Sequence, residues 1–385
     1  MEHYRETKAI IRLDAIRRNT RKIIAQYPGY RYYTAVVKAD CYGYRGNRVV
    51  QAMIDGGANS LAASLLEEGL SLRQAFPRIP ILLFTPLPLE QLRVCVENDL
   101  WVTVATLEQA VAAASVPNLN VMIRANGGWD IFGGPRDKAG FQEIYRVLQT
   151  GSCSLKGIYL HSYNAECAED TQKEYETFEA MTEGLDLSQL DMVSISNSLT
   201  LPRYSKKPYA NACRLGNILY KIESQDQQLE DTFCLQSRVH TMITLNPGCG
   251  VAYSRAFTAE KPNTRLAAIP IGFGDGFSKT NIGRDVFIHG KRFPVVAVTM
   301  DITHILVDDT VKIGDWVDLI RDNAHLDEIA AHIHGATEEA ICAMNKRVYR
   351  KYIDDEAEEM VKYGKQNKCC PPGGTGRNLL QRAVL

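Results

Sequence analysis

Through the first 220 residues, short β-branched runs alternate with stretches whose apolar positions recur at helical spacing. The runs predict strands at Thr34–Lys38, Ser60–Ser64, Ile79–Pro86, Trp101–Ala105, Asn120–Asn126, Leu155–Ser162, Met192–Ser198 and Ala212–Asn217. Between most of them lie helical patterns such as LEQLRVCVEND and LEQAVAAAS, and the amphipathic DAIRRNTRKIIAQY precedes the first. Eight β units with intervening helices over roughly 200 residues meet the requirement of a (β/α)8 barrel, an α/β TIM-barrel fold. A doubly wound open sheet needs fewer strands and is favoured by a glycine fingerprint after the first. Here the first strand runs into Lys38-Ala39-Asp40-Cys41-Tyr42, which carries no such fingerprint.

After about residue 228 the pattern changes. SRVHTMITL, TRLAAIPIGF, DVFIHG, FPVVAV, HILVDD and DWVDLI are short, β-rich and punctuated by Gly, Asp and Asn. Helical periodicity returns only over 326–354, so a mostly-β C-terminal domain closed by a helix is predicted. The expected organisation is a barrel over 9–228 and a β domain over 229–362 with residues 1–8 packing on it. A breaker-rich, flexible tail over 363–385 contains Cys369-Cys370.

Composition narrows the function classes. Hydrophobic residues make up 45% and charged residues 23%, ordinary for a globular protein. Forty-four Lys plus Arg against 45 Asp plus Glu leave a formal charge of −1, which supplies no general attraction to nucleic acid or membranes. The apolar runs are strand-sized, and the opening MEHYRETKAIIRL lacks a charged-then-apolar signal pattern. Ten cysteines without a CxxC spacing suggest reduced thiols and a cytoplasmic protein. No metal-ligand spacing is present, and no metal is expected.

Barrel sites gather at the carboxyl ends of the strands. Those positions hold Lys38 with Tyr42, Arg124 with Asn126, His161, Asn197 with Ser198, and Arg214 with Gly216. A lysine ending the apolar run Ala35-Val36-Val37 is unusual; desolvated there, it has a lowered pKa and can form a Schiff base with a carbonyl. Taken alone, it reads first as a side chain snorkelling into solvent. His161 alone reads as a hydrogen-bonded core histidine. Gly272-Phe273-Gly274-Asp275-Gly276 reads as tight turns, and Ser196-Asn197-Ser198 as a phosphate donor or a plain helix cap.

Taken together, the segments are more specific. Ala35-Val36-Val37-Lys38-Ala39-Asp40-Cys41-Tyr42-Gly43 resembles the cofactor-lysine signature of the alanine racemase family of pyridoxal-phosphate enzymes. The resemblance recurs in order at Leu66-Glu67-Glu68-Gly69, 157–161, Asn197-Ser198, 213–220, Gly250-Val251-Ala252-Tyr253-Ser254, 269–276, Met300-Asp301 and 347–352. It implies a barrel followed by a β domain, pyridoxal 5'-phosphate as cofactor, and an amino acid as the small-molecule substrate. It also implies a head-to-tail homodimer with shared sites. Lys38 would bind the cofactor and serve as the acid/base on one face, with Tyr253 from the other subunit on the opposite face. Arg214 would meet the pyridine nitrogen, with His161 near the ring. Tyr42, Asn197, Ser198, Gly216, Asn217 and Tyr352 would surround the phosphate, while Met300 and Asp301 would come from the partner to the substrate side. Such a site suits racemisation because inverting a stereocentre is easiest with one base per face, the cofactor acting as electron sink.

Four departures bear on specificity. A segment that in the family reads Lys-x-Asp-Thr-Gly-Met-x-Arg is here Arg124-Ala125-Asn126-Gly127-Gly128-Trp129-Asp130-Ile131. Arg124 thus replaces a modified lysine, and Ile131 the arginine that supports the tyrosine and the substrate carboxylate. Ser194 stands where a histidine usually backs Arg214, Thr299 precedes Met300-Asp301, and Phe273 replaces a tyrosine. The expectation is a racemase or epimerase acting on an amino acid other than plain alanine, with Arg124 compensating only if it points into the mouth. Decarboxylation or elimination on the same fold is the alternative, and a pyridoxal-phosphate carrier a third. The decarboxylase-type Cys-Glu-Ser-Gly-Asp segment is absent, and carriers generally lack the second domain.

Overall fold

The computed structural model describes residues 4–222 and 228–355. The strand β1 (Lys8–Arg12) leads into helix α1 (Leu13–Gln26), and a closed parallel barrel follows. Its strands are β2 (Tyr32–Val36), β3 (Ser60–Ala63), β4 (Ile81–Leu83), β5 (Trp101–Val104), β6 (Asn120–Ala125), β7 (Ser154–Leu160), β8 (Met192–Asn197) and β9 (Ala212–Leu215). Pairing of β2 with β9, from Tyr32 opposite Ala212 to Ala35 opposite Leu215, closes the ring. Most barrel positions are buried on both faces, which is why these strands read as continuous apolar runs rather than alternating ones. α-Helices follow β2 to β7, and β8 runs to β9 without one; Thr106 and Gln109 form a reciprocal capping box, and the Asp137 carboxylate caps Lys138–Thr150.

All eight expected barrel strands are present. The first ends at Val36, however, not at Lys38. Ala39, Asp40, Cys41 and Tyr42 have φ of 53°, 51°, 57° and 54°, a turn of left-handed helix made by four consecutive non-glycine residues. The turn closes through Cys41 N–H donating to Val37 O (3.0 Å) and Gly43 N–H to Ala39 O (2.9 Å). The carboxylate of Asp40 accepts from Gly46 N–H (3.1 Å).

The second domain is a nine-stranded sheet whose spatial order is 241–245, 264–269, 303–306, 291–298, 285–288, 316–320, 233–238, β1 and 349–353. Because β1 is an inner strand of this sheet, the boundary expected at residue 9 falls within an element of the second domain. The helix expected over 326–354 is also shorter. It spans Asn323–Ile333 and stops where His334 turns left-handed (φ 54°) ahead of Gly335. After a short helix, Glu339–Cys342, the segment Tyr349–Ile353 is a strand paired parallel to β1, as its aromatic and β-branched residues favour. The expected tail, with Cys369-Cys370, lies outside the described residues, as does the end of the domain at 362. Among the described residues no helix is long and apolar enough to cross a membrane.

Both domains grip the left-handed turn. Tyr44 stacks between Tyr220 and Phe233 and shares a 2.8 Å hydrogen bond with Thr232. Arg350 Nη2 donates to Gly43 O (3.2 Å), and Tyr352 Oη to Arg45 O (2.7 Å). At Gly43 (φ 78°) an added Cβ would stand 2.7 Å from Ile341 O, a backbone atom that no rotamer can move aside. At Gly184 (φ 84°) a Cβ would meet nothing within 4 Å. Gly43→Ala is therefore expected to cost more stability than Gly184→Ala by at least ~1 kcal/mol, since both carry the left-handed strain and only the first carries the clash. Urea denaturation of the two variants measures the difference; equal losses would mean that the domains are not pressed together at this turn.

Candidate active site

The carboxyl ends of the barrel strands open onto a cavity of 540 Å³, a size typical of small-ligand sites. It brings together Lys38, Tyr42, Arg124, Ile131, His161, Asn197, Ser198, Arg214, Gly216 and Asn217. It does not include Tyr253, Met300, Asp301 or Tyr352. Lys38 departs from the expected desolvated lysine: it is exposed at the mouth, because the strand stops two residues earlier and the left-handed turn begins at the next residue. Its Nζ lies 6.0 Å from the centre of the Tyr42 ring.

Arg214 is fixed from three sides on the floor of the cavity. Nη1 donates to Ser194 O (2.8 Å) and Ser194 Oγ (2.7 Å), and Nη2 to Leu160 O (2.6 Å), while Nε is buried without a partner. Ser194 therefore keeps a contact that its replacement of a histidine was expected to remove. Burial lowers the guanidinium to about 10, so it stays protonated at neutral pH. His161 approaches it at 3.4 Å and packs against Trp129, ring centres 5.3 Å apart. Burial, then repulsion from Arg214, Lys38 and Arg124, pushes the imidazole down to about 3. It is neutral here.

Opposite Arg214 lies a cradle. Gly216 N–H donates to Ser198 Oγ (2.7 Å), and a Cβ on Gly216 would come within 2.8 Å of Tyr42 Oη, so only glycine keeps this space open. Asn197 orders the loop from behind: its Oδ1 accepts from Leu199 N–H (2.9 Å) and Thr200 N–H (3.0 Å), and its Nδ2 donates to Ser162 O (3.2 Å). Lys38, Arg124 and Arg214 face the cavity against a single carboxylate, Glu338. An excess of two cations, a glycine where a Cβ would crowd Tyr42 Oη, and an unpartnered buried Nε suit an anionic aromatic ligand such as pyridoxal phosphate. The residues present fit that cofactor.

Arg124 resolves the phase of β6. It points into the cavity, 4% exposed, with Nη2 donating to Trp129 O (2.9 Å) and Nη1 buried without a partner. The rings of Trp129 and Phe132 are each centred 5.5 Å from it. The loop that supplies them is knit by Asn126, whose Nδ2 donates to Asp130 Oδ1 (2.6 Å) and Gly134 O (3.0 Å). Ile131, half exposed at 50%, sits on the rim.

The remaining candidates stand on the second domain. Tyr253 is 72% exposed between Ala252 (φ 65°) and Ser254 (φ 55°), a strained loop that presents the ring outward. Met300 is 52% exposed, and Asp301 pairs with Arg347 (2.6 Å) beside the turn 273–275. Gly272–Gly276 is thus a structural turn, closed by the buried Asp275 accepting from Gly272 N–H (3.0 Å). Tyr352 backs the left-handed turn through Arg45 O rather than lining the cavity. Sequence reasoning missed Glu338, which reaches the cavity from the second domain; a glutamate in a helical pattern carries no signal of that.

Comparison with known proteins places this geometry. Residues 11–224 match the model of the alanine racemase N-terminal domain, and 232–352 that of the C-terminal domain. Alanine racemase 1 of Bacillus subtilis is 28% identical over 370 residues, covering 91% of this chain and 94% of that protein. The alanine racemase of Anoxybacillus flavithermus is 29% identical, covering 92% and 96%. Among solved structures, alanine racemase from Bacillus anthracis with bound L-Ala-P superposes with a TM-score of 0.84 at 27% identity, covering 92% of this chain and 97% of that one. In fold, the chain also matches the Bartonella henselae alanine racemase with covalently bound pyridoxal phosphate (TM-score 0.81, 22% identity, covering 90% and 99%).

The depressed His161 fixes a pH dependence. The unfolded chain binds a proton on this residue near pH 6.5 while the folded chain does not, so folding stability falls as pH drops from about 6.5 toward about 3. His161→Gln is expected to flatten that fall, visible as a smaller loss of the urea midpoint between pH 7 and pH 5 than in the unsubstituted protein. Parallel slopes would show that His161 is not held neutral by the fold.

Proposed function

This chain belongs to the alanine racemase family, pyridoxal-phosphate-dependent isomerases, and we propose that Lys38 and Tyr253 of the partner subunit are its opposite-face acid/bases. The bound cofactor withdraws electrons from the substrate's α-carbon and so makes its proton exchangeable. Lys38 Nζ would hold the cofactor and would take or return the α-proton on one face. The phenolic oxygen of Tyr253 of the partner subunit does the same on the other. Arg214 Nε would face the ring nitrogen and keep its own proton. Tyr42, Ser198 and the Gly216–Asn217 backbone would position the phosphate, Tyr352 braces the turn that carries Tyr42, and His161 would pack at the ring as a neutral group. The observation that carries this reading is the cavity itself: the turn bearing Lys38, the free Arg214 Nε and the cradle at Gly216 converge there.

The substrate is an amino acid, and Arg124 is its carboxylate anchor. A family arginine is absent at Ile131, a loss of roughly 1.5–3 kcal/mol in a charge-assisted contact; the unpartnered Nη1 of Arg124 supplies an equivalent donor from a different point of the wall. Moving the anchor shifts the bound carboxylate, so plain alanine, with no side chain to make further contacts, is a poor substrate. The relatives' names support racemisation over decarboxylation or elimination. The eight described cysteines are free, as suits a reducing cytoplasm.

A head-to-tail homodimer completes the site. Tyr253 and Met300 are both exposed on the second domain, while Leu65, Leu89, Leu107 and Ile131 leave apolar surface exposed where the barrel strands end. Neither Tyr253 nor Met300 lines the cavity of its own chain.

Two measurements test the proposal. Borohydride should fix the cofactor to a peptide containing Lys38 and to no other; a label elsewhere sinks the assignment. Lys38→Ala and Tyr253→Phe, each inactive alone, should regain activity when mixed, toward a quarter of the wild-type value for random subunit exchange, because one of the two sites in each mixed dimer is intact. Mixtures that stay inactive after demonstrated exchange would overturn the shared site.

A further inference from the structure

Glu338 is the one carboxylate among the residues lining the cavity, and it comes from the second domain of the same chain, directly before the helix Glu339–Cys342 that packs on the Lys38 turn. Its Oε2 is buried without a hydrogen-bond partner. Among the described residues none of the three cavity cations forms an ion pair with it: the hydrogen bonds of Arg124 and Arg214 go to backbone and hydroxyl oxygens, their free Nη1 and Nε make none, and Lys38 has no salt bridge. An unpaired carboxylate oxygen out of water is costly unless a donor reaches it. In the loaded site proposed above, the ligand is the added source of such a donor. The phosphate and the substrate carboxylate only accept, and the substrate's α-amino nitrogen is committed to the cofactor. What remains is the substrate's side chain.

We propose, on the footing of the racemase reading, that Glu338 selects a basic amino acid, its carboxylate receiving a side-chain ammonium or guanidinium such as that of lysine, ornithine or arginine. Arg124 and Glu338 then hold the two ends of the substrate, an anion and a cation, through opposite charges fixed on the wall. This arrangement penalises a neutral side chain, which would leave Glu338 unpaired, and more so an acidic one.

The test compares holoenzyme and Glu338→Gln on lysine, ornithine and alanine by chiral analysis, and titrates the absorbance of the bound cofactor with each amino acid. The ratio of kcat/KM for lysine to that for alanine should exceed one in the holoenzyme and fall about ten- to a hundredfold in Glu338→Gln, mainly through KM. Glu338→Asp, which keeps the charge, should retain most of the ratio, and it serves as the second variant if the amide folds poorly. Wild-type preference for alanine overturns the proposal. So does an equal fall for all substrates with a shifted pH profile, which would mean that Glu338 acts on Lys38. The titration separates this from the racemase reading: lysine that binds selectively without inversion upholds Glu338 and removes racemisation, and alanine inverted without preference for lysine does the reverse.

Discussion

The site depends on a backbone conformation that the chain would not adopt by itself. Four consecutive residues, Ala39 to Tyr42, are left-handed, at about 1–2 kcal/mol each for residues with a Cβ. Strain of that size persists only where surrounding contacts fix it. Here they come from both sides. The barrel supplies the Tyr42–Tyr220 and Tyr44–Tyr220 contacts, and the second domain supplies Thr232, Phe233, Arg350, Tyr352 and the packed backbone at Ile341. The lysine that precedes the turn is thus positioned by the docking of two domains, not by the strand it follows. This also explains why β1 and Tyr349–Ile353, from opposite ends of the described chain, lie side by side. Both strands adjoin the segments that grip the turn.

Much of this architecture is legible in the sequence because barrel strands have a plain signature. Each is buried on both faces, so each reads as a short apolar run, and the eight runs survive in order. What was not legible has a common cause: it is set by contacts between distant segments. The periodicity of 326–354 continues past His334, yet Tyr349–Ile353 pairs with β1 and becomes a strand. Lys38 reads as the last residue of a strand, since nothing local announces four left-handed residues before Gly43. Ser194 reads as the loss of a partner for Arg214, whereas a serine offers both its hydroxyl and its carbonyl to the same guanidinium nitrogen. Ten of the candidate residues meet in the cavity because family spacing encodes strand ends. Glu338 was missed because it reaches the cavity from another domain.

The charges of the cavity follow one logic. Arg214 and His161 lie within hydrogen-bonding reach, and the arginine, held by three oxygens, keeps its proton while the imidazole loses its own. A protonated histidine there would add a further cation beside Arg214, with no acid among its close partners to offset it. Holding it neutral reserves the positive potential for a ligand that brings several negative charges, and leaves a flat ring stacked on Trp129. The excess of fixed cations also raises the local concentration of anionic ligands at the mouth.

The relocation of a cation from position 131 to position 124 has an energetic consequence that follows from burial. A side chain at 131 sits on the rim, half in solvent, where an arginine would spend rotamer freedom to reach inward and would interact through water. Arg124 is buried, near two rings and already tied by one nitrogen to Trp129 O, so little freedom is left to lose on binding. In that drier setting each charge-assisted bond is stronger, but the same dryness makes the unoccupied Nη1 expensive to keep. The cost is borne by the loop 126–134, whose Asn126 hydrogen bonds and glycine turns hold Trp129 and Phe132 in place. A rigid anchor of this kind tolerates less variation in where a carboxylate sits than a mobile rim arginine would. Discrimination among substrates then falls to whatever meets the other end of the ligand.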